Sequence, residues 1–145
     1  MSKSYAIVMA LIVGVCISIQ APINAGLGKI MPAKTAALHS FLTATIILVL
    51  MNVFSGELSM YGNITKIHPV YWTGGLLGLG IVFLTIKVIP VLGMSTAFSI
   101  FVAVQLIMSI FIDHFGILGV PRSPVSILKV VGVVLLFISV RLILK

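Results

Sequence analysis

Residues 5–26 read YAIVMALIVGVCISIQAPINAG, with no Asp, Glu, Lys or Arg among them. An α-helix rises 1.5 Å per residue, so about 20 mainly apolar residues cross roughly 30 Å of hydrocarbon. The stretch is long enough to span a membrane as one helix. Four more runs of that length follow, at Thr35–Phe54, Val70–Ile89, Gly93–Ile112 and Val125–Leu144. Strands of a transmembrane barrel would alternate apolar and polar residues over about 10 positions. These runs are continuous, so they are read as helices. The expected fold class is all-α: a polytopic integral membrane protein with five transmembrane helices, forming one transmembrane domain over residues 1–145.

Composition agrees. Of 145 residues, 61% are hydrophobic and 8% charged, whereas a soluble domain carries about 25% charged residues. So few charges cannot cover a soluble surface, and so apolar a chain does not stay disordered. The net charge is +7, from nine Lys and Arg against Glu57 and Asp113. The cations stand singly at the edges of apolar runs and make no basic stripe, so nucleic acid is not an expected partner. Such cations suit membrane edges, where long stems reach headgroups. Cys16 is the single cysteine, which permits no intrachain disulfide and no cysteine-based metal cluster. The first run exceeds the 7–15 apolar residues of a signal peptide, and its basic flank is only Lys3, so it is expected to stay in the mature protein.

The connections are short and punctuated by Gly and Pro. Gly26–Lys34 carries Gly28 and Pro32, and Ser55–Pro69 carries Gly56, Gly62 and Asn63. Ile89-Pro90-Val91-Leu92-Gly93 reads as a tight hairpin that makes spans three and four antiparallel neighbours. Asp113–Pro124 carries Gly116, Gly119, Pro121 and Pro124.

Five spans put the termini on opposite sides. The amino-terminal side then holds Lys3, Lys66, Arg122 and Lys129, and the other holds Lys29, Lys34, Lys87, Arg141 and Lys145. Orientation follows the excess of Lys and Arg on one face. Four against five is almost no bias. Setting aside Lys87 and Lys129, inside the ends of their spans, leaves three against four. Either one loop dominates and orientation is unique, or the chain inserts both ways and pairs as an antiparallel homodimer. Many transporters join two inverted halves with the site at their interface. Two inverted copies would supply ten helices in that form.

Polar groups in hydrocarbon are costly, so they turn to the bundle interior, a partner or a cavity. Cys16, Gln20 and Asn24 stand at i, i+4 and i+8, which places them on one stripe. Pro22 removes a backbone donor and frees the Ser18 carbonyl, which predicts a kink. Gln20 and Asn24 read either as a ligand platform or as hydrogen-bonding contacts to a neighbouring helix. Span two opens with His39 and Ser40. His39 is either a proton-exchanging group or an interfacial histidine bonded to a carbonyl, the plainer reading and the preferred one. Thr43 and Thr45 are expected to bond back to their own helix. Tyr71 and Trp72 read as interfacial anchors. Gly74, Gly75 and Gly78, and Gly93 at the head of span four, read as helix-packing positions. A phosphate-cradling loop would need a preceding strand and a following lysine.

Gln105, Ser109 and Asp113 form a second i, i+4, i+8 stripe. Gln105, near mid-span, reads as a site or a dimer contact. Asp113 could serve a cation or proton pathway, but the preferred reading is that it anchors the following loop, pairing with Arg122. Span five, with Gly132 and Ser139, offers packing and no chemistry. Hydrolase and zinc-protease motifs and paired carboxylates are absent from the sequence. No enzyme activity, metal or cofactor is therefore expected.

Four groups of residues carry a resemblance: Gln20-Ala-Pro-Ile-Asn24; Trp72-x-Gly74-Gly75-x-x-Gly78; Pro90-x-x-Gly93; and Gln105-x-x-x-Ser109-x-x-x-Asp113-His114-Phe115-Gly116. In order and spacing they resemble the YdcZ-like family, a five-span bacterial branch of the drug/metabolite transporter superfamily. The resemblance covers essentially the whole chain. It implies a multi-pass protein of the bacterial inner (plasma) membrane, and it favours the antiparallel homodimer, because members occur as single chains, pairs or fused inverted repeats. It also implies distant kinship with small multidrug resistance proteins, whose first span carries a proton-exchanging glutamate. No acid stands in span one here, so that mechanism does not carry over.

The expected function is secondary transport of a small polar metabolite or organic cation by alternating access. Gln20, Asn24, Gln105 and Ser109 would line the site. Uncharged amides and hydroxyls suit a polar or zwitterionic solute better than a bare lipophilic cation. Phe98, Phe101 or Trp72 would supply aromatic contacts, and Asp113 and His39 are the groups placed for proton coupling. The expected partners are a second copy, membrane lipid and the small-molecule substrate. The rival readings are a dimeric channel and an accessory subunit of a larger membrane complex.

Overall fold

The computed structural model describes residues 2–143. Leu144, the last residue of the fifth expected span, and Lys145, counted among the cations, lie outside the described residues. The chain divides into two compact units that meet at Val91 and Leu92.

The first unit holds α1 (Lys3–Ile30), α2 (Ala33–Ser55) and most of α3 (Thr73–Leu92). α1 starts where the Ser2 hydroxyl accepts the Tyr5 N–H at 3.3 Å, an N-cap. It passes through Pro22, Gly26 and Gly28 without a break. It ends where Met31 turns extended ahead of Pro32, the residue class that disfavours helix before it. The Pro32 carbonyl then accepts Thr35 and Ala36 N–H groups, so α2 begins at once. The connection expected over Gly26–Lys34 is thus only Met31 and Pro32. α2 stops at Gly56, whose left-handed φ of +73° lets its N–H return to the Asn52 and Val53 carbonyls.

Two 3₁₀ segments, Glu57–Lys66 and Pro69–Trp72, lead into α3; the first lies in the connection expected over Ser55–Pro69, and the second takes up Val70, Tyr71 and Trp72, expected as the opening of span three. Leu58, Met60, Tyr61, Tyr71 and Trp72 in them are exposed. Apolar and aromatic groups beside two span ends belong at headgroup level. Trp72 is the only tryptophan, so its fluorescence reports on this segment alone. Lipids brominated near the headgroup are expected to quench it more than lipids brominated near the acyl-chain end. The opposite order would place the segment elsewhere.

The unit is held together by small side chains. Ala36 and Ala37 of α2 are sealed against Ile86 of α3, with Leu27, Met31, Ala33 and Val82 around them. Gly28 lets α1 approach the same isoleucine: a Cβ built there would overlap the Ile86 Cγ2 methyl. Such contacts are how helices pack where lipid removes the hydrophobic drive. Gly74 and Gly75 meet nothing within 4 Å in the chain, and Gly78 only touches the Phe41 ring. The close approach within the chain is therefore made at Gly28, a position expected in the connection Gly26–Lys34.

α3 continues through Pro90 to Leu92. Pro90 has no N–H to give the Ile86 carbonyl, and the helix ends two residues later. Gly93 alone, at φ +75°, separates it from α4 (Met94–Phe115). In the second unit α4 packs on α5 (Ile127–Ile143), which has 17 described residues. Among the described residues, four helical stretches are long and apolar enough to cross a membrane: Lys3–Ile30, Ala33–Ser55, Pro69–Leu92 and Met94–Phe115. Their large side chains are mostly uncovered by protein, as at Leu11, Leu76 and Val104. Helices apolar all round belong in lipid.

Candidate functional site

The first stripe opens onto a cleft. Cys16, Gln20 and Asn24 of α1, with Ile19, Ile23 and Leu27, face His39, Ser40 and Thr43 of α2 across a space of about 450 Å³. Small-molecule sites fall in the range of about 300–1,000 Å³ and mix apolar walls with a few polar groups. The wall has this mixture because a spacing of four in α1 returns each polar residue to one face. The α1–α2 turn brings the first turns of α2 against it.

Asn24 is the polar residue set deepest, at 5% exposure. Among the described residues, no sealed side-chain nitrogen or oxygen lacks a partner and no hydrogen bond ties the Asn24 amide, so that amide opens to the cleft. Gln20, His39 and Cys16 are exposed. The Thr43 hydroxyl donates to the His39 carbonyl at 2.9 Å, the expected bond within its own helix. The free polar groups of the cleft are thus amides, an imidazole, the Ser40 hydroxyl and a thiol. No carboxylate lines it. That His39 and Ser40 share a wall with Asn24 has no signal in the residues, because it depends on the length of the α1–α2 connection.

Gln105 and Ser109 lie on α4 in the second unit, both exposed. The Ser109 hydroxyl donates to the Leu106 carbonyl at 2.9 Å, which occupies its proton. Phe98 lines a separate cleft between α4 and α5, together with Ser95, Ser99 and Ser139, and pairs with Phe101 at 5.7 Å between ring centres. Trp72 stands in the 3₁₀ turn before α3.

Asp113 and His114 close α4 onto the following loop. The Asp113 carbonyl accepts the Ser123 N–H at 2.7 Å. The His114 carbonyl accepts the Arg122 Nε–H at 3.1 Å, and its ring Nδ1 accepts the Val125 N–H at 3.3 Å. Lys129 Nζ donates to the Ser123 hydroxyl at 2.8 Å and to its carbonyl at 3.1 Å. Gly116 makes the turn at φ +63°, and a Cβ there would stand 3.1 Å from that of Arg122. The loop is thus anchored at this point, by backbone and imidazole, with Arg122 turned to the His114 carbonyl.

A family model described as "Putative inner membrane exporter, YdcZ" matches residues 5–142. The chain belongs to this family. No curated protein and no solved structure matches it. The match runs from the first turn of α1 to the end of α5, so both the cleft and the Asp113–Gly116 clasp fall inside the family region. A protein of this exporter family with four apolar helices of spanning length is a multi-pass membrane protein of a transporter class.

Proposed function

We propose that the chain is a small secondary transporter of the bacterial inner membrane, working as an antiparallel homodimer and moving a small polar or zwitterionic metabolite by alternating access. The observation that carries the reading is the α1–α2 cleft: deep Asn24 with Gln20, His39 and Ser40 around it, in a member of an exporter family. α5 counts as the fifth span, since its 17 described residues reach the lower end of spanning length. Uncharged donors and acceptors can replace the hydration of a polar solute as it leaves water. A cleft without a carboxylate has no counter-charge for a lipophilic cation. Gln105 and Ser109 are proposed as further substrate contacts, and His39 and Asp113 as the groups for proton coupling.

A transport cleft must admit water, and a lipid-facing wall does not. Only the thiolate attacks a maleimide, and thiolate forms only in water. Cys16 is the sole cysteine, so a hydrophilic maleimide applied to native membranes is expected to label the chain. A chain that labels only after detergent solubilisation would show the cleft to be lipid-filled. In reconstituted vesicles, preloaded unlabelled solute is expected to accelerate entry of the same labelled solute, screened over amino acids and polyols. Asn24→Ala is expected to raise the half-saturating concentration about tenfold, since leaving a bound solute's polar group unpaired costs roughly 1–3 kcal/mol. A variant with unchanged saturation would remove Asn24 from the site.

A further inference from the structure

Three lysines surround one packed junction. Lys29 follows Gly28, Lys34 follows Ala33, and Lys87 follows Ile86. Gly28, Ala33 and Ile86 are the residues through which α1, α2 and α3 meet. The three lysines therefore stand at one end of the first unit, and all three side chains are exposed. Neither acid of the chain is near them in sequence: Glu57 follows α2 at its far end, and Asp113 belongs to the second unit. Lys87 places its ammonium 4.3 Å from the Phe83 ring centre, one turn back along α3. That ring is an uncharged resting partner, worth about 1 kcal/mol at an exposed site.

The length of α1 fixes the depth of this collar. Its 28 residues extend about 42 Å, roughly 12 Å more than the hydrocarbon is thick. The end bearing Lys29 and the turn bearing Lys34 therefore reach headgroup level. Lys87 lies about 7.5 Å inside the end of α3, a distance its stem can span. We propose that Lys29, Lys34 and Lys87 form a binding collar for the phosphates of anionic phospholipid headgroups, which holds the α1–α2 turn at one leaflet surface. Three ammonium groups with no Asp or Glu near them in sequence match a phosphodiester on a lipid already at that depth. A phosphate would draw Lys87 off the Phe83 ring. The collar is independent of the transport reading, because it lies outside the cleft lining.

The test is native mass spectrometry of the purified full chain titrated with phosphatidylglycerol, phosphatidylcholine or inorganic phosphate. Each basic side chain near an anionic surface contributes about a fivefold gain in affinity, so three give on the order of 100-fold. Phosphatidylglycerol is expected to be retained in preference to phosphatidylcholine. K29Q/K34Q/K87Q is expected to lose that preference, and K29R/K34R/K87R to keep it. K3Q/K66Q, which removes charge from the opposite end of the helices, is expected to bind like the unaltered chain. Equal retention of both lipids, or equal loss of preference in K3Q/K66Q and in the collar variant, overturns the proposal. Saturation of the collar by inorganic phosphate alone also overturns it, since the ligand would then be a free anion.

Discussion

Gly28→Val should leave little folded protein in the membrane, although Gly28 lies in α1 and valine is the more apolar residue. Two opposing magnitudes decide the sign. Replacing a helical glycine by alanine gains about 1 kcal/mol of helix propensity. Forcing an extra carbon into a packed contact costs about 1–3 kcal/mol. The atom in the way is the Cγ2 methyl of Ile86, on a β-branched side chain with essentially one helical rotamer. It cannot swing aside, so overlap outweighs propensity. Gly28→Ala is expected to destabilise by up to about 2 kcal/mol, and valine, with two more methyls, by about 3 kcal/mol or more. The same argument predicts a reversal. Ile86→Ala alone opens a cavity at the sealed Ala36–Ala37 contact and costs about 2–5 kcal/mol. On that background Gly28→Ala becomes neutral or stabilising, because the obstructing methyl is gone. A double-mutant cycle by denaturant titration in mixed micelles measures it. An unchanged cost of Gly28→Ala on both backgrounds would show that the contact is not what limits α1.

That contact also marks where the sequence was legible and where it was not. Hydropathy alone places every apolar helix, because lipid selects on length and charge and both are written in the residues. Helix ends were harder. Gly26 and Gly28 look like punctuation, but glycine only weakens a helix, whereas a proline turns the residue before it extended and ends one. α1 therefore runs to Ile30 and the break waits for Pro32. The stripe Cys16–Gln20–Asn24 was legible for the same reason, being a property of one helix. Its meeting with His39 and Ser40 was not, since that depends on a two-residue turn. Asp113 and His114 show a further limit. Their charge and spacing suggest chemistry or an ion pair, but their carbonyls and one ring nitrogen hold the next loop. A polar residue just past an apolar run has helix-end carbonyls to satisfy, and only geometry says whether its side chain is then free.

Reporters fused to the carboxyl terminus, one active only in the cytoplasm and one only outside it, should both give signal from the unaltered chain. Four cations against five supply almost no bias, and an antiparallel homodimer needs both orientations from one sequence. The bias can be imposed without touching the cleft or the lysine collar. K3Q/K66Q leaves two cations on the amino-terminal side against five, which should keep the carboxyl terminus inside. S4K/G62K/R141Q/K145Q gives six against three and should send it outside. Gly62 has open space around the position of a Cβ, so a side chain there meets nothing. Neither forced variant should transport alone, because every copy then faces the same way and no inverted partner exists. Expressed together, the two should restore transport. Their recovery would come from orientation alone, as each variant keeps Gln20, Asn24 and His39. Full activity in either forced variant by itself would eliminate the antiparallel dimer and leave a parallel or single-chain carrier as the working unit. Signal from only one reporter in the unaltered chain, followed by activity only with an added inverted partner, would point to a heteromer of two such chains.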